Sequence, residues 1–263
     1  MNPTARPVAL VTGASRGIGA EIARELARTG HDLILAARTL PALEALAAEL
    51  RESGAAAAAI AADLAAPGAA AALADEIAER GLAVDVLVNN AGLGGAGRFD
   101  RQSETRIDEM LQVNIVALTG LTRRFLPGMV ERRRGRIMLV ASTAAYQPGP
   151  RMAVYFASKA YVLSLGEALA YELRRTGVTV TVLCPGATDT DFFAVAGSGN
   201  SLMARRFRRL MDPAAVAREG CAAMAAGRRV VVTGLANRVM ALGGRYAPHA
   251  LSLPVTDKLM AEP

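Results

Sequence analysis

Thr12-Gly13-Ala14-Ser15-Arg16-Gly17-Ile18-Gly19 stands between an uninterrupted apolar run, Val8–Thr12, and a helical pattern, Ile18–Arg28. A strand, a glycine-rich turn and a helix in that order form the opening unit of a sheet that receives an anionic group at the helix start. Gly13 can make the tight turn, Gly17 lets backbone come close to a phosphate, and Gly19 lets the helix pack near the sheet. The spacing is G-x-x-x-G-x-G rather than the commoner G-x-G-x-x-G.

Outward from this turn, apolar runs of strand length alternate with longer helical patterns. The strand-like runs are Val8–Thr12, Asp32–Ala36, Ala57–Ala62, Val84–Val88, Arg136–Ala141, Thr179–Leu183 and Arg229–Val232. Most are apolar throughout, as expected for parallel strands covered on both faces. Between them the pattern predicts helices over Ile18–Arg28, Leu40–Ser53, Gly68–Arg80, Glu104–Arg132, Val154–Arg175 and Pro213–Ala226. Repeated β-α-β alternation predicts an α/β chain with one doubly wound parallel sheet of about seven strands and helices on both faces.

The 263 residues are 52% hydrophobic and 21% charged, enough for a large core without disulfides, and read most economically as a single domain over 1–263. Cys184 and Cys221 are the two cysteines, both in apolar contexts, which excludes a disulfide scaffold. No apolar run is long enough for a transmembrane helix and no signal peptide is read, so the expectation is a cytoplasmic protein. The formal charge is +6, but of 30 basic residues only Lys159 and Lys258 are lysines. That arginine bias weakens any argument for nucleic acid, and no recognised binding motif accompanies the arginines. Two stretches fall outside the alternation: 191–212, a candidate lid or substrate loop with a basic helix-like piece at Met203–Met211, and the extension 233–263. The extension could cover the sheet edge, contact another copy or touch lipid.

At the end of the second strand the sequence runs Leu35-Ala36-Ala37-Arg38-Thr39. A carboxylate there would favour NAD by accepting from the ribose 2′-hydroxyl. None is present. Arg38 can pair with a 2′-phosphate, and Arg16 could approach from the other side, so the expected cofactor is NADP(H). A solvated surface arginine is the plain alternative for Arg38.

The fifth strand ends at Ala141-Ser142, at the edge where such sheets bind ligands. Tyr155 and Lys159 then follow at i and i+4, one above the other on one helix face. An ammonium beside a phenol is expected to lower the phenol pKa and make it a general acid/base near neutrality. The Ser142 hydroxyl could bond a substrate oxygen as negative charge develops. A Tyr-x-x-x-Lys spacing also arises on ordinary solvated helix faces, and a serine after a strand is often only a cap.

Taken together these pieces resemble the short-chain dehydrogenase/reductase (SDR) family. The matching residues are Thr12–Gly19, Asp63-Leu64, Asn89-Asn90-Ala91-Gly92, Asn114, Ser142, Tyr155-Phe-Ala-Ser-Lys159, Pro185-Gly186 and Thr190, in family order over Val8 to about Thr190. The resemblance implies a Rossmann-type fold and an oxidoreductase that reduces a ketone or aldehyde to an alcohol, with no metal expected. It implies a catalytic tetrad of Asn114, Ser142, Tyr155 and Lys159, in which Tyr155 protonates the carbonyl oxygen, Lys159 also binds the nicotinamide ribose and Asn114 holds a relay water. Gly13, Ser15, Arg16, Gly17, Ile18, Gly19 and Arg38 are the expected cofactor residues at the first two strand ends. Asp63 and Leu64 would border the adenine, and Asn90, Ala91 and Gly92 would support the cofactor. Pro185, Gly186, Thr188 and Thr190 would position the nicotinamide. Read locally, Asn89–Gly92 is equally a turn, Asn114 a buried amide, and Pro185-Gly186 a strand stop.

Candidate substrate residues are Ser142, Thr143, Ala144, Tyr146, Pro148, Met152, Tyr155, Phe192 and Phe193, a partly apolar set. Cys184 fits strand packing better than catalysis, because no activating group is near it in sequence. A homodimer or homotetramer through the helices at 104–132 and 153–175 is what the resemblance implies. Two other readings stay open: a non-catalytic NADP(H) sensor or scaffold on the same fold, and a reductase docked on membranes through Arg205–Arg209 or the extension.

Overall fold

Seven parallel strands form one sheet: β1 Val8–Thr12, β2 Asp32–Ala37, β3 Ala57–Ala61, β4 Val86–Asn89, β5 Gly135–Val140, β6 Val178–Cys184 and β7 Val230–Val232. The structure is a computed structural model that describes residues 6–197 and 210–261, with only the backbone at 193 and 194. The strand order is β3-β2-β1-β4-β5-β6-β7, so the direction of winding reverses between β1 and β4. In register, Leu10 of β1 stands beside Ile34 of β2 on one side and Leu87 of β4 on the other. That reversal opens a crevice at the carboxyl ends of the strands, where such sheets take their ligands.

The apolar strands are explained by what covers them. Leu10 packs with Ile34 and Leu87 into one buried cluster, under helices α3 Ala69–Glu79, α5 Leu118–Glu131 and α6 Ala153–Glu172. Its neighbours Ala9 and Val11 point the other way, into a second cluster under α1 Gly17–Arg28, α2 Leu40–Glu52 and helix Pro213–Ala225. Alternate residues of one strand therefore serve two cores, which leaves no polar face along the run. The alanine-rich stretches sit inside β3 and at the start of α3.

The strand and helix expectations hold to within three residues at each end, with two departures. The pattern at 104–132 is not one helix: α4 Glu104–Leu111 passes into a π-helical stretch, Gln112–Ala117, before α5 resumes with Pro127 inside it. The Asn114 amide is drawn aside there to the backbone of Leu93, which accounts for a widened turn at this point. The extension, which has no expected structure from its pattern, forms two helices, Leu235–Tyr246 and His249–Met260. The second is fastened by an ion pair, Arg151 Nε to Asp257 at 2.8 Å, and by a hydrogen bond, Gln147 Nε2 to Thr256 Oγ1 at 3.2 Å. No helix among the described residues is long and apolar enough to cross a membrane.

The position of α6 is set by close packing at Gly166. A methyl group there would fall on the Val182 side chain, in a strand that is fully buried. Gly166→Ala is expected to destabilise the fold by about 1–3 kcal/mol through overpacking. That loss outweighs the gain of about 1 kcal/mol that alanine gives an open helix site. The midpoint of chemical denaturation measures the net sign.

Candidate active site

The turn after β1 is shaped by contacts with the turn after β4. Thr12 Oγ1 accepts from the backbone N–H groups of Asn90 and Ala91, both at 3.1 Å, and donates to the Val88 carbonyl at 3.2 Å. Asn90 Nδ2 donates to the carbonyls of Thr12 (2.9 Å) and Gly13 (3.2 Å). Gly13 has φ +65° and Gly17 φ +58°, left-handed values that glycine adopts without strain. At Gly19 a Cβ would collide with the Gly13 carbonyl oxygen and Asn90 Nδ2. Glycine at 19 thus seats α1 against this brace. No side chain caps α1, so its first-turn N–H groups are left for an anion.

The turn forms one wall of a cavity of about 550 Å³ at the carboxyl edge of the sheet. Gly13, Ser15, Arg16, Gly17, Ile18 and Gly19 line it at β1; Arg38 lines it at β2; Asp63 and Leu64 line it at β3. Asn90, Ala91 and Gly92 come from β4, and Pro185, Gly186, Thr188 and Thr190 from β6. Arg38 is exposed and makes no hydrogen bond or ion pair among the described residues. Arg16 does not join it: its guanidinium is turned to the Asp191 carboxylate at 3.1 Å, the opposite charge within reach across the crevice mouth. Thr190, beside Asp191, sits over Gly17, where its Cγ2 would be 3.0 Å from an added Cβ. A glycine cradle, an uncapped helix start and a free arginine without a neighbouring carboxylate fit a phosphorylated dinucleotide.

At the other end of the cavity, Ser142 lies two residues beyond β5 and Tyr155 stands in the first turn of α6. Ser142 Oγ accepts from Ala144 N at 3.1 Å, fixing its turn, and donates to the Pro185 carbonyl at 3.5 Å, close enough to the Tyr155 phenol to oppose the rise of its pKa. Lys159 lies one helical turn on, 5% exposed, with Nζ donating to the Val140 carbonyl at 2.9 Å and standing 5.8 Å from the centre of the Tyr155 ring. The Tyr155 ring rests on Phe192 at 5.1 Å between centroids.

The expectation that Lys159 makes the phenol acidic is corrected here. Burial pushes Tyr155 up to about 12, and the Ser142 hydrogen bond only partly opposes this. Burial also pushes Lys159 down to about 8. Desolvation disfavours both charged forms, and the ammonium is committed to a carbonyl rather than to the phenol oxygen. In this arrangement Tyr155 is a proton-loaded acid.

Three further expectations change. Asn114 is buried and off the cavity wall: its Oδ1 accepts from Leu93 N at 2.8 Å, and its Nδ2 donates to Leu93 O (2.9 Å) and Ser158 Oγ (3.0 Å). Both of its amide N–H groups and one acceptor site of its oxygen are taken up behind Gly92. Tyr146 does not reach the substrate space, because its hydroxyl turns to Cys184 Sγ at 3.8 Å; Pro148 is exposed outside it. Thr143, Ala144, Met152 and Phe192 do line the cavity. The Phe193 side chain and most of Met203–Met211 lie outside the described residues. Cys184 is buried and pushed up to about 12, a packed thiol as expected.

Sequence reasoning missed the wall contributed by the extension. Met240, Thr256, Leu259 and Met260 line the cavity, together with Gln147 and Val195. The available signal was the broken apolar spacing after Val232, which marks a helix face but not its target.

A family model described as short chain dehydrogenase matches residues 7–200. Among solved structures, a short-chain dehydrogenase from Sphingobium yanoikuyae in complex with NADPH is similar at TM-score 0.81 and 36% identity, over 90% of this chain and 92% of that one. A variant of the actinorhodin polyketide ketoreductase with NADPH is similar at TM-score 0.76 and 32% identity, over 87% and 95%. A short chain dehydrogenase/reductase from Burkholderia phymatum in complex with NAD is similar at TM-score 0.81 and 28% identity, over 92% and 94%.

The buried lysine has a cost that can be measured. Its folded-state pKa of about 8 lies below the ordinary 10.5, so below pH 8 the ammonium is charged in both states and the full burial penalty is present. Between those values the folded state sheds its proton first and the penalty fades. Lys159→Met is therefore expected to be more stable than the native chain by about 2 kcal/mol at pH 7. The difference should shrink as pH rises toward 10.5, which thermal unfolding across that range will show.

Proposed function

The chain belongs to the short-chain dehydrogenase family, and from that premise we propose that it is an NADP(H)-dependent reductase of ketones, with Tyr155 as the proton donor. The observation that carries this reading is the convergence of Ser142, Tyr155 and Lys159 on the wall of the same cavity as the glycine turn. Gly13, Gly17, Gly19 and Arg38 would hold NADPH, which when bound would supply the hydride for the carbonyl carbon.

The chain supplies the rest. Ser142 orients the carbonyl oxygen toward Tyr155. As negative charge grows on that oxygen, the Tyr155 O–H bond breaks and its proton completes the alcohol. Lys159, with Nζ 5.8 Å from the centre of the Tyr155 ring, is a positive charge beside the phenolate that remains. Raised above the ordinary phenol range by burial, Tyr155 keeps its proton at neutral pH, which is the form that carbonyl reduction starts from. Asn114 acts as a positioning residue behind Gly92, since its amide is committed to Leu93 and Ser158.

The substrate class follows from the wall. Met152, Phe192, Val195, Met240, Leu259 and Met260 present apolar surface, while Gln147 and Thr256 add two polar groups. This supports a bulky, largely apolar ketone, in line with the ketoreductase among the solved relatives. Relatives bind NADPH in some structures and NAD in others, so Arg38 is the argument for NADP(H).

Tyr155→Phe is expected to lower turnover of a ketone panel by about 10²–10⁴-fold while NADPH binding, followed by fluorescence, is kept. Undiminished turnover would remove Tyr155 from its role. Arg38→Asp should shift the ratio of NADPH to NADH efficiency by about 10–100-fold toward NADH, the worth of a charge-assisted pair. An unchanged ratio in steady-state assays would place the 2′-phosphate elsewhere.

A further inference from the structure

The two C-terminal helices have one face in the protein and an apolar face outside it. On Leu235–Tyr246 the inward positions are Asn237, Ala241 and Gly244, with the last two buried. Opposite them, Leu235, Val239, Leu242 and Tyr246 recur at spacings of four, three and four, and so share one stripe. On His249–Met260 the buried Thr256 faces in, and Leu251 and Val255 face out. These six side chains are between 58% and 76% exposed. A soluble surface gains nothing from such a row, and rows of this kind mark an interaction site.

The charges beside the stripes indicate what covers them. Arg245 lies on the flank of the first stripe and Lys258 follows the second by three residues. Neither forms an ion pair among the described residues, whereas the one described acid of these helices, Asp257, is spent on Arg151. Arg238, on the same flank as Arg245, is held by Glu219. The free charge on this face is thus of one sign. In a two-fold contact the same face meets itself, so the unpaired cations Arg245 and Lys258 would bring charge of one sign to both sides with no acid of that face to answer it. An anionic lipid surface meets apolar side chains and cations together: the apolar row enters the acyl boundary, the tyrosine sits at headgroup depth, and each cation adds attraction to the charged leaflet.

We propose that the helices Leu235–Tyr246 and His249–Met260 form a docking face for an anionic phospholipid bilayer. The same helices wall the cavity through Met240, Leu259 and Met260, so docking sets the apolar side of the substrate space next to the lipid phase. The docking itself does not depend on the reductase reading, and it is tested without turnover.

Flotation of the full chain with vesicles of phosphatidylcholine, with and without phosphatidylglycerol, tests the proposal. The native chain should float with the phosphatidylglycerol vesicles, and far less at high salt. The double variant L235D/L242D, altered only at exposed positions, should lose partition by about tenfold with its thermal midpoint and ketone turnover unchanged. A second variant, R245E/K258E, should lose the preference for phosphatidylglycerol. Absence of flotation at low salt on either vesicle overturns the proposal, as does full flotation of a folded L235D/L242D. Light scattering in which that variant halves the mass of the native particle also overturns it, in favour of a contact between copies.

Discussion

The candidate site depends on one act of desolvation: an ammonium and a phenol are placed together in a dry seat at the end of a parallel sheet. Water would let both groups ionise as they do in free amino acids. Here Lys159 is held by the Val140 carbonyl, and Tyr155 is enclosed by Phe192 and the start of α6. Each group is driven toward its neutral form. The pair is therefore not an acidified phenol beside a fixed cation but two groups under a common penalty. A negative charge on one makes a positive charge on the other less costly, so their ionisation is linked to whatever charge arrives between them.

The seat exists because the strand ends are fixed with respect to one another. Thr12 and Asn90 tie the β1 and β4 turns, and beyond β5 the ladder to β6 continues into the loops, with Thr143 N donating to the Pro185 carbonyl at 2.9 Å. The glycine turn and the Ser142 turn are thereby parts of one braced edge. On one side that edge offers backbone N–H groups to an anion; on the other it offers hydroxyls to a carbonyl. The distance between the two functions is set by strands, not by flexible side chains.

Much of this was legible in the residues. The strand runs could be read because both faces are buried, which makes them apolar without interruption. The spacing of Tyr155 and Lys159 is a local property of a helix. What could not be read required distant partners. Asn114 widens its helix through bonds to Leu93 and Ser158, and a turn of that kind leaves no mark in apolar spacing. Tyr146 looked like a pocket residue by position but found the Cys184 sulfur. The sign of the shift at Tyr155 was misjudged because adjacency to a lysine is visible in sequence and dryness is not. Arg16 looked like a phosphate ligand beside Arg38, and nothing in its own segment announces Asp191.

One further feature lies at the base of the stretch that follows β6. Thr188 and Met211 form a parallel bridge, reinforced by the Met211 N–H to the Ala187 carbonyl and the Asp189 N–H to the Met211 carbonyl, both at 2.9 Å. Residues 187–189 and Met211 are thereby joined to each other at the carboxyl end of β6. Phe192 follows this tie by a few residues and stacks on Tyr155, so the backbone that joins Thr188 to Met211 also holds one wall of the phenol's seat, and a change at either strand end would be felt at the aromatic pair.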